Sequence, residues 1–345
     1  MTANTSIEWT DRTWNPVRGC SVVSPGCVNC YAMKQAHRFR GPGKAYEGLT
    51  KQTKAGPQWT GKIRTVESAL VEPLSWRKPQ RIFVNSMSDL FHEGVPFEFI
   101  AAVFAVMAYC ERHTFQVLTK RPERMLAFMQ WVNEPAGAET FTEAYGEKAG
   151  QQITLARMKR VSEDVAMKIH DAHGDWLDLD ACLHNMGAWP PKNVWLGVSV
   201  ENQHFANERI PLLLRTPATV RFISAEPLLG PVHLYDHWIG EQSARDGTGP
   251  ALEWARPWLD WVIVGGESGP GARPFDLAWA RSLVQQCKAA GVPVFVKQVG
   301  SKPIAEYDGE SEHAPGSYFD WLIKDRKGGD MAEWPEDLRV REFPR

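Results

Sequence analysis

Three cysteines stand close together in the stretch GCSVVSPGCVNCYA, where Cys20, Cys27 and Cys30 leave six and then two residues between them. Thiolates spaced this way can ligate a soft metal, because a short loop can turn their sulfurs toward one centre. Gly19, Pro25 and Gly26 suit the tight backbone course required, glycine by tolerating left-handed angles and proline by pre-setting a turn. Three kinds of chemistry fit. A structural zinc needs a fourth ligand, such as His37 or a distant cysteine, to complete its tetrahedron. A redox pair needs only Cys27 and Cys30. An iron-sulfur cluster on three cysteines leaves one iron open. Spacing alone leaves all three open.

The remaining cysteines, Cys110, Cys182 and Cys287, are scattered. Cys110 and Cys287 fall in the helix-like segments AVMAYCERH and LVQQCKAA, and all three are expected to pack rather than react. His92 and His113 have no partner at metal-ligand spacing. The 15 tryptophans sit mostly among apolar neighbours, as in VWLGVSV and LDWVIVGG, which suits a core. A formal net charge of -2 supplies no strong overall field toward nucleic acid or an anionic membrane. The N-terminus lacks a secretory signal and no segment has the uninterrupted apolar length of a membrane span. A cytoplasmic protein without a membrane partner is expected, and in a reducing compartment clustered cysteines are ligands or reactive thiols rather than disulfides.

The elements that must hold such a site are legible as short apolar, β-branched runs alternating with helix-like stretches. The strands are RIFVNS (Arg81 to Ser86), TFQVLT (Thr114 to Thr119), VWLGVSV (Val194 to Val200), TVRFIS (Thr219 to Ser224), WVIVGG (Trp261 to Gly266) and VPVFVKQ (Val292 to Gln298), with a weaker one, SIEWT, before the cysteines. Helices are predicted in PFEFIAAVFAVMAYCER and in DLAWARSLVQQCKAAG, the latter between an Asp276 N-cap and Gly291. Near-continuous apolar strands imply a sheet covered on both faces. The fold class is therefore α/β, a partial or full (β/α) TIM-type barrel, with a doubly wound open sheet as runner-up. A single domain over 1–345 is expected, with insertions at about 133–193, including the amphipathic LARMKRVSEDVAMKIHDAH, and at about 234–259, including GEQSARDGTGP. The cysteine triplet follows the first predicted strand and precedes the helix YAMKQAHRF, which puts it at the C-terminal mouth, where barrel active sites are built.

With the triplet in that position, the chain resembles the radical S-adenosylmethionine (radical SAM) superfamily. It is similar more closely to a phage and prophage three-cysteine family distantly related to spore photoproduct lyase. The resemblance is carried in order by IEWTDRTWNPVRGC, CVNCYA, NSMSDLFH, LTKRPERM, VWLGVSVEN, RFISAEPLLG, LDWVIVGGESGPGARP and VFVKQVG, nearly the whole chain. Two features depart from the superfamily pattern. Six residues rather than three separate the first two cysteines, and Asn29 rather than an aromatic residue precedes the last, with Tyr31 after it. The Gly-Gly-Glu of the superfamily usually ends the second strand, whereas here Gly265 to Glu267 ends a much later one and is not carried over.

The resemblance implies that Cys20, Cys27 and Cys30 ligate a 4Fe-4S cluster whose open iron takes the amino and carboxylate groups of SAM. An external electron donor then reduces the cluster, the sulfonium C5'-S bond breaks, and a 5'-deoxyadenosyl radical takes hydrogen from a substrate. Strand ends supply the remaining candidates. Ser86, Ser88 and Asp89 suit the SAM amino group, and Ser199, Glu201 and Asn202 suit the ribose hydroxyls. Lys120, Arg121, Arg273 and Gln298 are candidates for binding substrate, and Glu226, Glu267 and Lys297 for catalysis. The cations Lys120, Arg121, Arg273 and Lys297 together would suit a phosphate or carboxylate.

The function expected is that of a radical SAM enzyme, an isomerase or lyase acting on a nucleotide or DNA base such as a modified thymine, in the cytoplasm of a bacterial host. The alternative is a zinc-stabilised nucleic-acid-binding protein without radical chemistry. A third possibility is a cluster-bearing scaffold that serves a partner enzyme.

Overall fold

Seven apolar strands build the main sheet: β1 (Arg12–Trp14), β2 (Arg81–Val84), β3 (Thr114–Thr119), β4 (Val194–Ser199), β5 (Val220–Ala225), β6 (Trp261–Gly265) and β7 (Val294–Gln298). The computed structural model describes residues 5–133, 189–240, 258–307 and 316–344. In the sheet the strands keep their chain order from β1 to β7. The pairs β1 with β2, β2 with β3, β5 with β6 and β6 with β7 are parallel, in registers such as Ile82 opposite Phe115 and Ile263 opposite Phe295. A doubly wound sheet reverses its strand order at a switch point, and this one does not. Parallel strands in unbroken order are the singly wound arrangement compatible with a partial TIM-type barrel.

Packing divides the chain into two compact units. The first comprises Met1–Val22, Tyr31–Leu196 and Thr216–Thr219; the second comprises Val23–Cys30, Gly197–Arg215 and Val220–Arg345.

In the first unit lie α1 (Tyr31–Arg38), α2 (Phe97–Tyr109) and α3 (Pro122–Asn133). Phe99 to Ala108 of α2 are all buried, which explains why this helix is apolar around its whole circumference rather than on one stripe. The predicted strand SIEWT does not form: the first strand is the more polar Arg12–Trp14 that follows it. Trp9 is nevertheless buried, its ring 4.7 Å from Phe83, so the apolar residues that suggested a strand serve as a lid on the core. Trp14 is fully buried and donates its indole N–H to Ala69 O at 2.7 Å, which anchors the short strand.

The second unit holds α4 (Gln203–Arg215) and α5 (Leu277–Ala290). Asp276 caps α5 as predicted, accepting from Ala278 N at 2.9 Å, and Gly291 ends it in the left-handed conformation at φ 68°. The C-terminal segment covers the edge of β7. Val296 N donates to Val340 O and Glu342 N to Val294 O, both at 2.9 Å, and these bonds shield an edge strand that would otherwise invite pairing with another chain.

The predicted helix LARMKRVSEDVAMKIHDAH, the segment GEQSARDGTGP after its first glycine, Gly240, and Cys182 lie outside the described residues. Among the described residues no helix is long and apolar enough to cross a membrane.

Candidate functional site

In the first unit, the segment after β2 meets the segment that leads to Cys20. Gly19 has φ 89° and forms a parallel bridge with Ser88. A Cβ at Gly19 would overlap the carbonyl oxygen of Lys62, so only glycine passes here. Ser88 Oγ donates to Val17 O at 2.7 Å. Asn15 Oδ1 accepts from Met87 N at 3.0 Å and from Ser86 Oγ at 3.3 Å, while Tyr31 OH donates to Ser86 O at 2.5 Å. Ser88 therefore ties its loop to the Val17 backbone, Ser86 bonds the Asn15 side chain that also holds Met87 N, and Tyr31, which follows the last cysteine, joins that scaffold.

Asp89 and Arg121 are both buried and pair with each other at 3.0 Å. Asp89 also accepts from Phe91 N, Thr119 Oγ1 and Lys120 N at 3.0, 2.7 and 3.1 Å. The guanidinium of Arg121 donates further to Glu93 at 3.0 Å and to Ser21 Oγ at 2.7 Å, and its Nη1 stands 4.0 Å from Cys20 Sγ. Burial alone would weaken the charge on Arg121, but Asp89, Cys20 and Glu93 around it outweigh burial and hold the guanidinium firmly protonated. His92 is pushed below its ordinary value by burial and by the Arg121 charge. Its Nδ1 accepts from Gly94 N at 3.1 Å, so the proton of the neutral ring sits on Nε2 and is donated to Ser21 Oγ at 3.0 Å. Asp89 and Arg121, expected to face cofactor and substrate, are thus engaged with each other and with the Cys20 segment.

In the second unit, two carboxylates reach the turn that carries Cys27 and Cys30. Glu201 is fully buried and its Oε2 takes Arg209 Nη1 at 3.0 Å, with Arg209 also donating to Ser199 O at 2.8 Å. The other oxygen, Oε1, accepts from Ser24 Oγ at 2.5 Å, and Ser24 Oγ lies 3.8 Å from Cys27 Sγ. A Cβ on Gly26 would come within 2.5 Å of Glu201 Oε1, so the residue must lack one. Asn202 caps α4, its Oδ1 accepting from Phe205 N at 3.3 Å.

Glu267 forms a two-pronged pair with Arg273, Nη2 to Oε1 at 2.6 Å and Nε to Oε2 at 3.0 Å. Its Oε2 also accepts from Asn29 Nδ2 at 2.9 Å, and Arg273 Nη1 donates to Pro25 O at 3.0 Å. Burial would raise the Glu267 carboxyl, but the bonds from Arg273 and Asn29 hold it below its ordinary 4.5. Lys297 and Glu226 pair at 2.5 Å, and Gln298 Nε2 donates to Gly266 O at 2.9 Å.

Three of the four cations expected to gather an anion are therefore matched by carboxylates: Arg121 by Asp89, Arg273 by Glu267 and Lys297 by Glu226. Lys120 gives its backbone N–H to Asp89. Sequence reasoning passed over Ser21, Ser24, Glu93 and Arg209, and met Asn29 only as a departure from the superfamily pattern. Arg209 left a signal: it shares a helix face with Phe205, Ala206 and Leu213, a charge set among apolar residues.

Cys20, Cys27 and Cys30 form no disulfide and are of intermediate exposure, unlike the buried Cys110 and Cys287. Among the described residues no three His, Cys, Asp or Glu side chains are grouped so as to hold one metal ion. The donor set fits an iron-sulfur cluster in kind and in accessibility.

Comparison with curated proteins and with solved structures finds no match. A family model described as "Protein of unknown function (DUF5131)" matches residues 4–326. That match runs through both units and every element that contributes to the two clusters, so the chain belongs to the DUF5131 family.

Proposed function

We propose that the chain is a radical SAM enzyme whose Cys20, Cys27 and Cys30 ligate a 4Fe-4S cluster, with SAM at the open iron and an external electron donor. The observation that carries this reading is the set of three accessible thiols, none in a disulfide, within one short stretch, while the other described cysteines are buried. A cluster of this kind, when bound, supplies one-electron chemistry to the sulfonium of SAM. The chain's own groups supply the rest. Arg121 keeps a permanent positive charge beside Cys20, which offsets the negative charge a ligating sulfur carries. Gly19 and Gly26 let backbone pass where a side chain would collide. Lys297 and Glu226, half-buried at the ends of β7 and β5, are the groups proposed to handle protons on a substrate. The substrate proposed is a nucleotide or a base in DNA, transformed by isomerisation or bond cleavage.

The test is anaerobic reconstitution with iron, sulfide, a strong reductant and SAM. One cluster per chain and release of 5'-deoxyadenosine are expected, both lost when any of the three cysteines is replaced by alanine. A colourless protein carrying stoichiometric zinc, with no deoxyadenosine, would refute the radical reading in favour of the zinc-stabilised alternative.

A further inference from the structure

We propose that Glu201 and Glu267 are positioning residues that clamp the Ser24 to Asn29 turn at its two ends and so set the placement of Cys27 and Cys30. The inference rests on the reading of these two cysteines as ligands. The turn has modest support of its own: Cys27 N bonds Ser24 O at 3.0 Å, Val28 N bonds Pro25 O at 3.2 Å and Cys30 N bonds Cys27 O at 3.3 Å, a single tight turn followed by a looser one. A turn this short has no nucleus to keep it formed in isolation, since helical structure of a few residues is unstable alone. Its geometry must come from outside.

The outside contacts are at its ends. Ser24, at the start, gives its hydroxyl proton to Glu201, and Asn29, at the finish, gives an amide proton to Glu267 and another to Gly271 O at 3.0 Å. Between them Arg273 holds the Pro25 carbonyl and Gly26 passes the Glu201 carboxylate. Each carboxylate is paired with its own arginine, Arg209 at 3.0 Å or Arg273 at 2.6 Å, and hydrogen bonds within such charge-assisted arrangements are the stronger ones. Each glutamate holds a residue that neighbours a cysteine in the chain. Each acts through the residue next in the chain or three before it. Glu267, a sequence-level candidate for catalysis, has both oxygens committed to this clamp.

The test compares Glu267→Gln and Asn29→Ala with wild type in the full chain. Asn29→Ala removes the contact to the turn while leaving the Glu267 and Arg273 pair in place, so it reads the clamp even if Glu267→Gln folds poorly. Alkylation rates of each thiol in the apo protein are read by peptide mass spectrometry. Loss of one charge-assisted hydrogen bond is expected to speed Cys27 and Cys30 about ten-fold, with Cys20 unchanged as internal reference. Iron bound per chain after reconstitution is expected to fall in both variants. Equal alkylation rates at Cys27 and Cys30 in wild type and both variants would overturn the clamp, as would an equal acceleration at Cys20, which signals general loosening. If wild type binds no iron while the variants still expose Cys27 and Cys30 selectively, the radical SAM reading fails and the clamp stands.

Discussion

Replacing Arg209 by methionine would strand the Glu201 carboxylate in the interior, because Arg209 and Glu201 are 2 % and 0 % exposed and pair at 3.0 Å. At an effective dielectric constant of about 20 the attraction at this distance is about 5 kcal/mol, and breaking a buried pair typically costs about 3–5 kcal/mol. A loss of about 4 kcal/mol is expected, a fall in melting temperature of about 8–16 °C for a unit of this size. Methionine keeps most of the volume and still contacts the Phe205 ring that the guanidinium covers at 4.3 Å, so a cavity adds little.

Urea denaturation of wild type and variant at pH 7 measures the loss. A second substitution, Glu201→Gln in the Arg209→Met background, removes the stranded charge and is expected to recover most of the loss. A deficit below about 1 kcal/mol, or no recovery on adding Glu201→Gln, would refute the buried-charge argument.

Gly19→Ala should destabilise more than Gly48→Ala although both glycines have positive φ, because a Cβ at Gly19 meets the Lys62 carbonyl whereas at Gly48 nothing lies within 4 Å. Left-handed strain alone is worth about 1–2 kcal/mol, so thermal melts of the two variants isolate the collision. Glu267 is held below 4.5, so its contribution to stability is present above that value and is lost as pH falls through the lower, folded-state value. Denaturation midpoints followed from pH 6 down to pH 3 should fall more steeply in wild type than in Glu267→Gln, and parallel curves would exclude this role. Arg121→Lys keeps the charge but cannot serve Asp89, Glu93 and Ser21 together, and a loss of about 2–3 kcal/mol is expected in urea denaturation.

The sequence by itself determined the elements that local chemistry dictates. Apolar β-branched runs became β2 to β7 nearly where their patterns place them, and α5 begins at Asp276 and ends at Gly291 because a cap and a left-handed glycine act within a few residues. The order βα repeated along the chain already implied a parallel sheet. SIEWT failed because an apolar stretch reports burial rather than extension, and Trp9 is buried without a strand. The three cysteines were visible because their spacing is a property of the chain. Tertiary structure alone decided what the charged groups at the strand ends do. Lys297 and Glu226 lie 71 residues apart, Glu267 and Asn29 lie 238 apart, and Ser24 and Glu201 lie 177 apart. No local pattern encodes such pairings. A buried charge must find a counter-charge or a hydrogen bond wherever the packed core brings one, so charged groups at the strand ends pair with one another, and the Arg121 and Arg273 pairs also hold the cysteine segments.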